Sequence, residues 1–182
     1  SAMTYLQNII IIFVFLSITL FIISCNTDVK NENTIDEEIT AIDSSIITAK
    51  DIAKIKFTEY ALSNISKNKT SNWQKFNELS NKIEVLKTGD LSFFRDDKAI
   101  LEGFIADLKN EVPESLNTQA ILVRLTVIET VFLKLEGLAS LKTAKKEDLL
   151  IAIKDVLLSY TNLVFQMNKK FEKESQKIEK PY

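Results

Sequence analysis

Residues 116–141 read LNTQAILVRLTVIETVFLKLEGLASL, from Leu116 to Leu141. Ile121, Leu122, Val123, Leu125, Val127, Ile128, Val131, Phe132, Leu133 and Leu135 cover most of a helical circumference. A helix that is apolar nearly all round is buried by neighbours on several sides. The β-branched residues also allow a strand over 121–127. The length of the stretch and the lack of any partner strand favour helix. This segment is therefore expected to be a largely buried helix near the centre of an all-α domain.

The flanking segments carry narrower apolar faces. Downstream, Leu149, Ile153, Val156, Tyr160, Leu163, Met167 and Phe171 recur at steps of three and four, which predicts a last helix from about residue 143. It turns charged from Lys169 onward. Upstream, a helix is expected over about 92–110, with Ile100, Leu101, Phe104, Ile105 and Leu108 on its face. Pro113 closes it and can open the next, since its missing N–H costs nothing in a first turn. Before that, Trp73, Phe76, Leu79, Ile83 and Leu86 predict a helix entered through a capping box at Ser71-Asn72-Trp73-Gln74 and ended by Gly89. Ser66 to Thr70 breaks the pattern and reads as a polar connection. The first helix is expected to start at Thr34-Ile35-Asp36-Glu37, another capping box. Its face is Ile35, Ile39, Ile42, Ile46, Ala49, Ala53, Phe57 and Tyr60. Short connections make neighbouring helices antiparallel. The expected fold is thus an antiparallel bundle of about five helices over residues 34–178, with a largely buried fourth helix. Residues 179–182 are expected to form a flexible C-terminus.

Composition agrees with that class. Three glycines and two prolines are few for a turn-rich β-fold. One cysteine allows no disulfide within the chain, so stability must come from packing.

That cysteine, Cys25, follows 15 uncharged residues, 9–23. The run suits a signal h-region and is short for a membrane span. The string Ile22-Ile23-Ser24-Cys25 resembles the lipobox of bacterial lipoproteins. The resemblance covers the first 25 residues. It implies a signal peptide over 1–24, diacylglycerol on the Cys25 sulfur, and cleavage that leaves Cys25 as the new N-terminus. Residues 1–8 carry no Lys or Arg, which departs from the usual signal pattern. An uncleaved anchor and a buried core helix are the rival readings of the run. Residues 25–33 then form a lipidated tether, since 26–33 are polar without an apolar period. Localisation follows from the resemblance: the bacterial cell envelope, lipid-anchored, at the outer membrane.

Chemistry is harder to find. There is no histidine, which removes the commonest general base and metal ligand. Three dispersed glycines cannot build a phosphate loop. Ser66-Lys67-Asn68-Lys69 and Lys87-Thr88-Gly89 match two signatures of penicillin-recognising serine enzymes. The order and spacing do not fit that family, and the second string reads as a helix C-cap. Asp96, Asp97, Glu172 and Glu174 could in principle hold a hard cation, although acids on helix surfaces are usually just solvated. No cofactor is expected. Residues 142–182 carry nine lysines against six acids, and residues 26–53 seven acids against two lysines. The aromatics follow core spacing, so the basic end is read as a solvated surface and not as a nucleic-acid site.

Two candidate sites remain. Leu91, Phe93 and Phe94 put three large apolar residues in and after an interhelical turn, a candidate interaction surface. The alternative is a plug folded over the bundle end. Arg124 and Glu129 interrupt the most apolar helix and are a candidate polar groove; the alternative is an exposed stripe shared with Lys134. The functional expectation is a non-enzymatic envelope lipoprotein, a protein-interaction or structural module whose partners are the membrane, through lipid on Cys25, and another envelope protein. The second expectation is a binder of a small apolar or amphipathic ligand in a cavity between helices.

Overall fold

The computed structural model describes residues 46–176, all within one unit of the chain, Ala41–Tyr182. The expected signal peptide, Cys25, the tether, the Thr34 capping box and the C-terminal residues 179–182 lie outside the described residues. Within them the chain is all-helical: α1 Ala49–Ala53, α2 Asn64–Thr70, α3 Gln74–Lys87, α4 Ser92–Arg95, α5 Lys98–Asn110, α6 Gln119–Ala139 and α7 Lys146–Ser175. A single 3-10 turn, Glu114–Leu116, follows Pro113.

α6 and α7 form the most extensive helix pair. They run antiparallel. Lys134 of α6 meets Asp155 of α7 at 2.8 Å, while Thr118 and Ala120 lie beside Gln166 and Lys169, so positions descend on one helix as they rise on the other. α4 and α5 pack on α6, and α1, α2 and α3 pack on α7.

The centre of the domain is α7, not α6. On α6 the buried residues Ile121, Leu125, Ile128, Phe132, Leu135 and Ala139 form one stripe, with steps of four, three, four, three and four. Val123 is 47% exposed and Val127 40%. The expected all-round burial of this helix is therefore corrected to one face. On α7, Ser159 and Thr161 are both buried although they point about 200° apart on a helix. Leu149, Ala152, Ile153, Val156, Leu157, Leu163, Val164, Met167 and Phe171 fill the arc between them. Small and hydroxylic residues widen this buried face, which is why apolar periodicity alone understates it.

Three boundaries also differ from the expectation. The first helix does not reach Tyr60. α1 ends at Ala53, and Phe57 and Tyr60 lie on non-helical chain. α1 itself starts at a capping box of Thr48 and Asp51, with the Thr48 hydroxyl donating to the Asp51 carboxylate at 2.6 Å. Residues 66–70 are helical: Ser63 caps α2, and the Ser66 and Thr70 hydroxyls are buried and bonded. The Ser71 capping box does not form. Trp73 stands at the α3 N-cap without a side-chain bond, and the Ser71 hydroxyl donates to the Asn68 carbonyl. Burial of Trp73 against Phe76, with its indole N–H on the Leu108 carbonyl at 3.2 Å, holds that end instead.

The expected helix over 92–110 is broken at Asp96 and Asp97. The Asp97 carboxylate accepts from the Ala99 N–H at 2.9 Å and starts α5, because a short acidic side chain serves the free amides of a helix start. Leu101, Phe104, Ile105 and Leu108 are buried as the spacing predicts. Ile100 is 51% exposed and is not part of that face. Lys87-Thr88-Gly89 is a helix end, with Thr88 as C-cap and Gly89 at φ 92°.

Candidate interaction surface

Residues 55–63 leave the helical ladder, so their peptide groups need other partners. α7 supplies them. The Thr161 hydroxyl accepts from the Tyr60 N–H at 2.8 Å and donates to the Thr58 carbonyl at 3.0 Å. Asn168 repeats the arrangement: its carbonyl oxygen accepts from the Ser63 N–H and its amide donates to the Ala61 carbonyl, both at 2.8 Å. A hydroxyl and a carboxamide each carry donor and acceptor, which this double contact requires. Two side-chain contacts fix the segment laterally. Tyr60 packs on Phe165 with centroids 4.8 Å apart, and the Glu59 carboxylate pairs with Lys87 of α3. Lys87 also binds Glu84 at 2.8 Å. Burial works against its ammonium, but the carboxylates of Glu59 and Glu84 outweigh that and raise its pKa above the ordinary value.

Beside this strap lies a groove of about 520 Å³. Phe76, Tyr160 and Val164 line it with apolar surface, and Glu59, Lys67 and Glu84 are among its polar residues. The Tyr160 hydroxyl donates to Ser80 at 2.9 Å, and Ser80 donates onward to the Phe76 carbonyl. Burial pushes the Tyr160 pKa up, so the phenol stays neutral and acts as a hydrogen-bonding group. These groups can bind main chain or an amphipathic surface. They do not place a nucleophile beside a base.

The residues singled out from sequence fall elsewhere. Leu91 and Phe94 are each only 2% exposed. Phe94 packs edge-on against Phe132 at 5.2 Å and against Phe93 at 5.3 Å. The expected docking tip at Leu91, Phe93 and Phe94 is therefore corrected to a plug in the core. The turn before α4 is short, and its apolar side chains find cover between α5 and α6. Phe93 alone of the three is partly open. Lys82 lies 3.7 Å from its ring centroid, in a depression of about 330 Å³. Burial there lowers the Lys82 pKa.

Arg124 and Glu129 do not line one groove. Five residues on a helix place them about 140° apart. Glu129 pairs with Lys109 of α5, and Lys134 pairs with Asp155 of α7, on either side of α6. The four carboxylates considered for a cation are separately engaged: Asp97 caps α5, Asp96 accepts from the Asp97 N–H, and Glu172 and Glu174 pair with Lys169 and Lys170. Among the described residues no group of three potential ligands converges.

Thr161 and Asn168 were not distinguishable as a pair by apolar spacing. The available signal was two hydrogen-bonding residues seven apart within the long apolar pattern of α7. Among the described residues, no helix is long and apolar enough to cross a membrane. Comparison of the chain with protein-family models, with curated proteins and with solved structures finds no match.

Proposed function

We propose that this protein is a lipid-anchored component of the bacterial cell envelope, held at the outer membrane through Cys25, whose helical domain is a non-enzymatic protein-interaction or structural module. The observation that carries the anchor is the string Ile22-Ile23-Ser24-Cys25 after an uncharged run. One acyl chain holds a protein only marginally, whereas the three of a mature lipoprotein hold it for good. The strap bound by Thr161 and Asn168 supports the interaction reading, because side-chain groups of α7 there hold the main chain of non-helical polypeptide. Intact-mass analysis tests the anchor. A species starting at Cys25 with added lipid mass is expected, and an unmodified Cys25 thiol overturns it. Pull-down of the acylated protein from detergent-solubilised envelopes tests the module: a stoichiometric envelope protein is expected.

The groove beside Tyr160 favours a second reading, a binder of a small apolar or amphipathic ligand. Its volume of about 520 Å³ lies within the range of ligand pockets. Saturable uptake of a fluorescent amphiphile, lost in Val164→Trp, supports that reading; unsaturable uptake overturns it.

A further inference from the structure

The two contacts of α7 with the strap share one pattern. Each takes the N–H of a residue and the carbonyl of the residue two before it: Tyr60 with Thr58, then Ser63 with Ala61. The second set lies three residues on along the strap and seven residues on along α7. Seven helical residues advance about 10.5 Å. Three residues of extended chain advance about 9–11 Å. The two repeats match, so the helix reads the extended chain in register and in a parallel direction. This reading is blind to side chains. Selectivity is added at two flanks, where Lys87 receives a carboxylate and Phe165 receives an aromatic ring.

The strap itself is shallowly buried. Thr58, Glu59, Tyr60, Ala61 and Ser63 are exposed, and Leu62 is half-buried. Segments with little burial and exposed main-chain bonds are the ones that open locally. On opening, Thr161, which is buried, and the apolar wall of the groove become available together.

We propose that this face of α7 is a docking site for extended polypeptide, closed here by the chain's own residues 58–63 and opened for an extended segment of a partner protein that carries an acidic residue followed by an aromatic one. The proposal rests on the reading of the domain as a protein-interaction module. The bound strap shows what fits: the acid faces Lys87, the aromatic that follows it packs on Phe165, main chain at and just before this pair serves Thr161, and main chain after it serves Asn168. A free segment competes with a tethered rival present at an effective concentration in the millimolar range. Binding to the closed chain is therefore weak, and binding to a chain with a disengaged strap is strong.

The test uses the full chain in detergent micelles and a labelled peptide of residues 55–63, IKFTEYALS. Tyr60→Pro deletes the N–H that Thr161 accepts. Fluorescence anisotropy is expected to show the peptide binding this variant at least tenfold tighter than the wild type. Adding Thr161→Val removes that gain, and a peptide with Lys at the Glu59 position binds several-fold more weakly. A folded Tyr60→Pro chain that does not bind the peptide overturns the proposal, as does binding indifferent to Thr161→Val. Hydrogen exchange on the wild type covers the case in which Tyr60→Pro fails to fold. Excess peptide should then accelerate exchange at the Tyr60 and Ser63 amides and leave the α7 amides protected; unchanged exchange overturns the proposal. Capture of an envelope protein by a chain that ignores the peptide overturns this site and leaves the interaction module standing.

Discussion

Gly89 lies at φ 92° directly against the backbone of Ile47: a Cβ built on Gly89 would meet the Ile47 carbonyl oxygen at 2.7 Å. Two demands coincide there. A left-handed residue ends α3, and the chain entering α1 crosses it without room for a side chain. Gly89→Ala is expected to cost at least about 1–3 kcal/mol from backbone conformation alone. Urea denaturation measures it. An unchanged midpoint would contradict both the conformational demand at Gly89 and the close crossing of Ile47.

Phe132 and Val127 sit five residues apart on α6 and make opposite predictions. Phe132 is fully buried against Phe94, so Phe132→Ala is expected to cost about 3–5 kcal/mol. Val127 faces outward, and Val127→Ala is expected to stay within about 0.5 kcal/mol. Equal effects at the two positions would contradict the one-sided burial of α6.

Leu91→Ser with Phe94→Ser probes the plug. Both side chains are core, so the double variant is expected to lose several kcal/mol of stability, as large buried apolar residues do when shortened and made polar. A variant with wild-type thermal stability would return these residues to the surface.

Asp51 gives the domain an acid sensitivity of known sign. The hydrogen bond from the Thr48 hydroxyl, followed by the contact with Lys146 at 2.9 Å, holds its carboxyl well below the usual carboxylate range. A depressed pKa contributes stability that is present above the unfolded value, near 3.9, and is lost as pH falls towards the folded one. Thermal melts from pH 6 to pH 2 should therefore show a smaller acid loss for Asp51→Asn than for the wild type. Parallel curves would remove Asp51 from the account.

The chain of hydrogen bonds from Tyr160 through Ser80 to the Phe76 carbonyl offers a smaller effect. Tyr160→Phe removes the bond to Ser80 and is expected to cost about 0.5–1.5 kcal/mol. Chemical denaturation with and without Ser80→Ala shows whether the two losses overlap, as a shared bond requires.

Apolar spacing was a sound guide to the long helices. The stripes at Phe76, Leu79, Ile83 and Leu86, and at Leu101, Phe104, Ile105 and Leu108, are buried where the three-and-four steps put them. It misled at α6, where Val123 and Val127 are apolar yet exposed, because nothing in a residue's own chemistry says whether a neighbour covers it. It misled again at residues 55–63. Phe57 and Tyr60 keep helical spacing from Ala53, but their segment exchanges helical hydrogen bonds for those of Thr161 and Asn168. Those partners lie about a hundred positions away and leave no local trace. The candidate sites fared according to the same rule. Leu91 and Phe94 were rightly marked as apolar, but whether a turn's side chains point outward or inward is decided by the helices that meet there.

The strap also sets an order of events. Tyr60 meets Thr161 across 101 positions of chain, and Ser63 meets Asn168 across 105. Closing a loop of that length costs roughly 4 kcal/mol of chain entropy. Nothing available before α7 repays it at those peptide groups. A chain made or threaded from its N-terminus must therefore carry residues 58–63 without their α7 partners until the last helix has emerged. Chains cut short before position 161 have nothing to seat the strap. Closure of the strap thus reports that the whole domain has arrived.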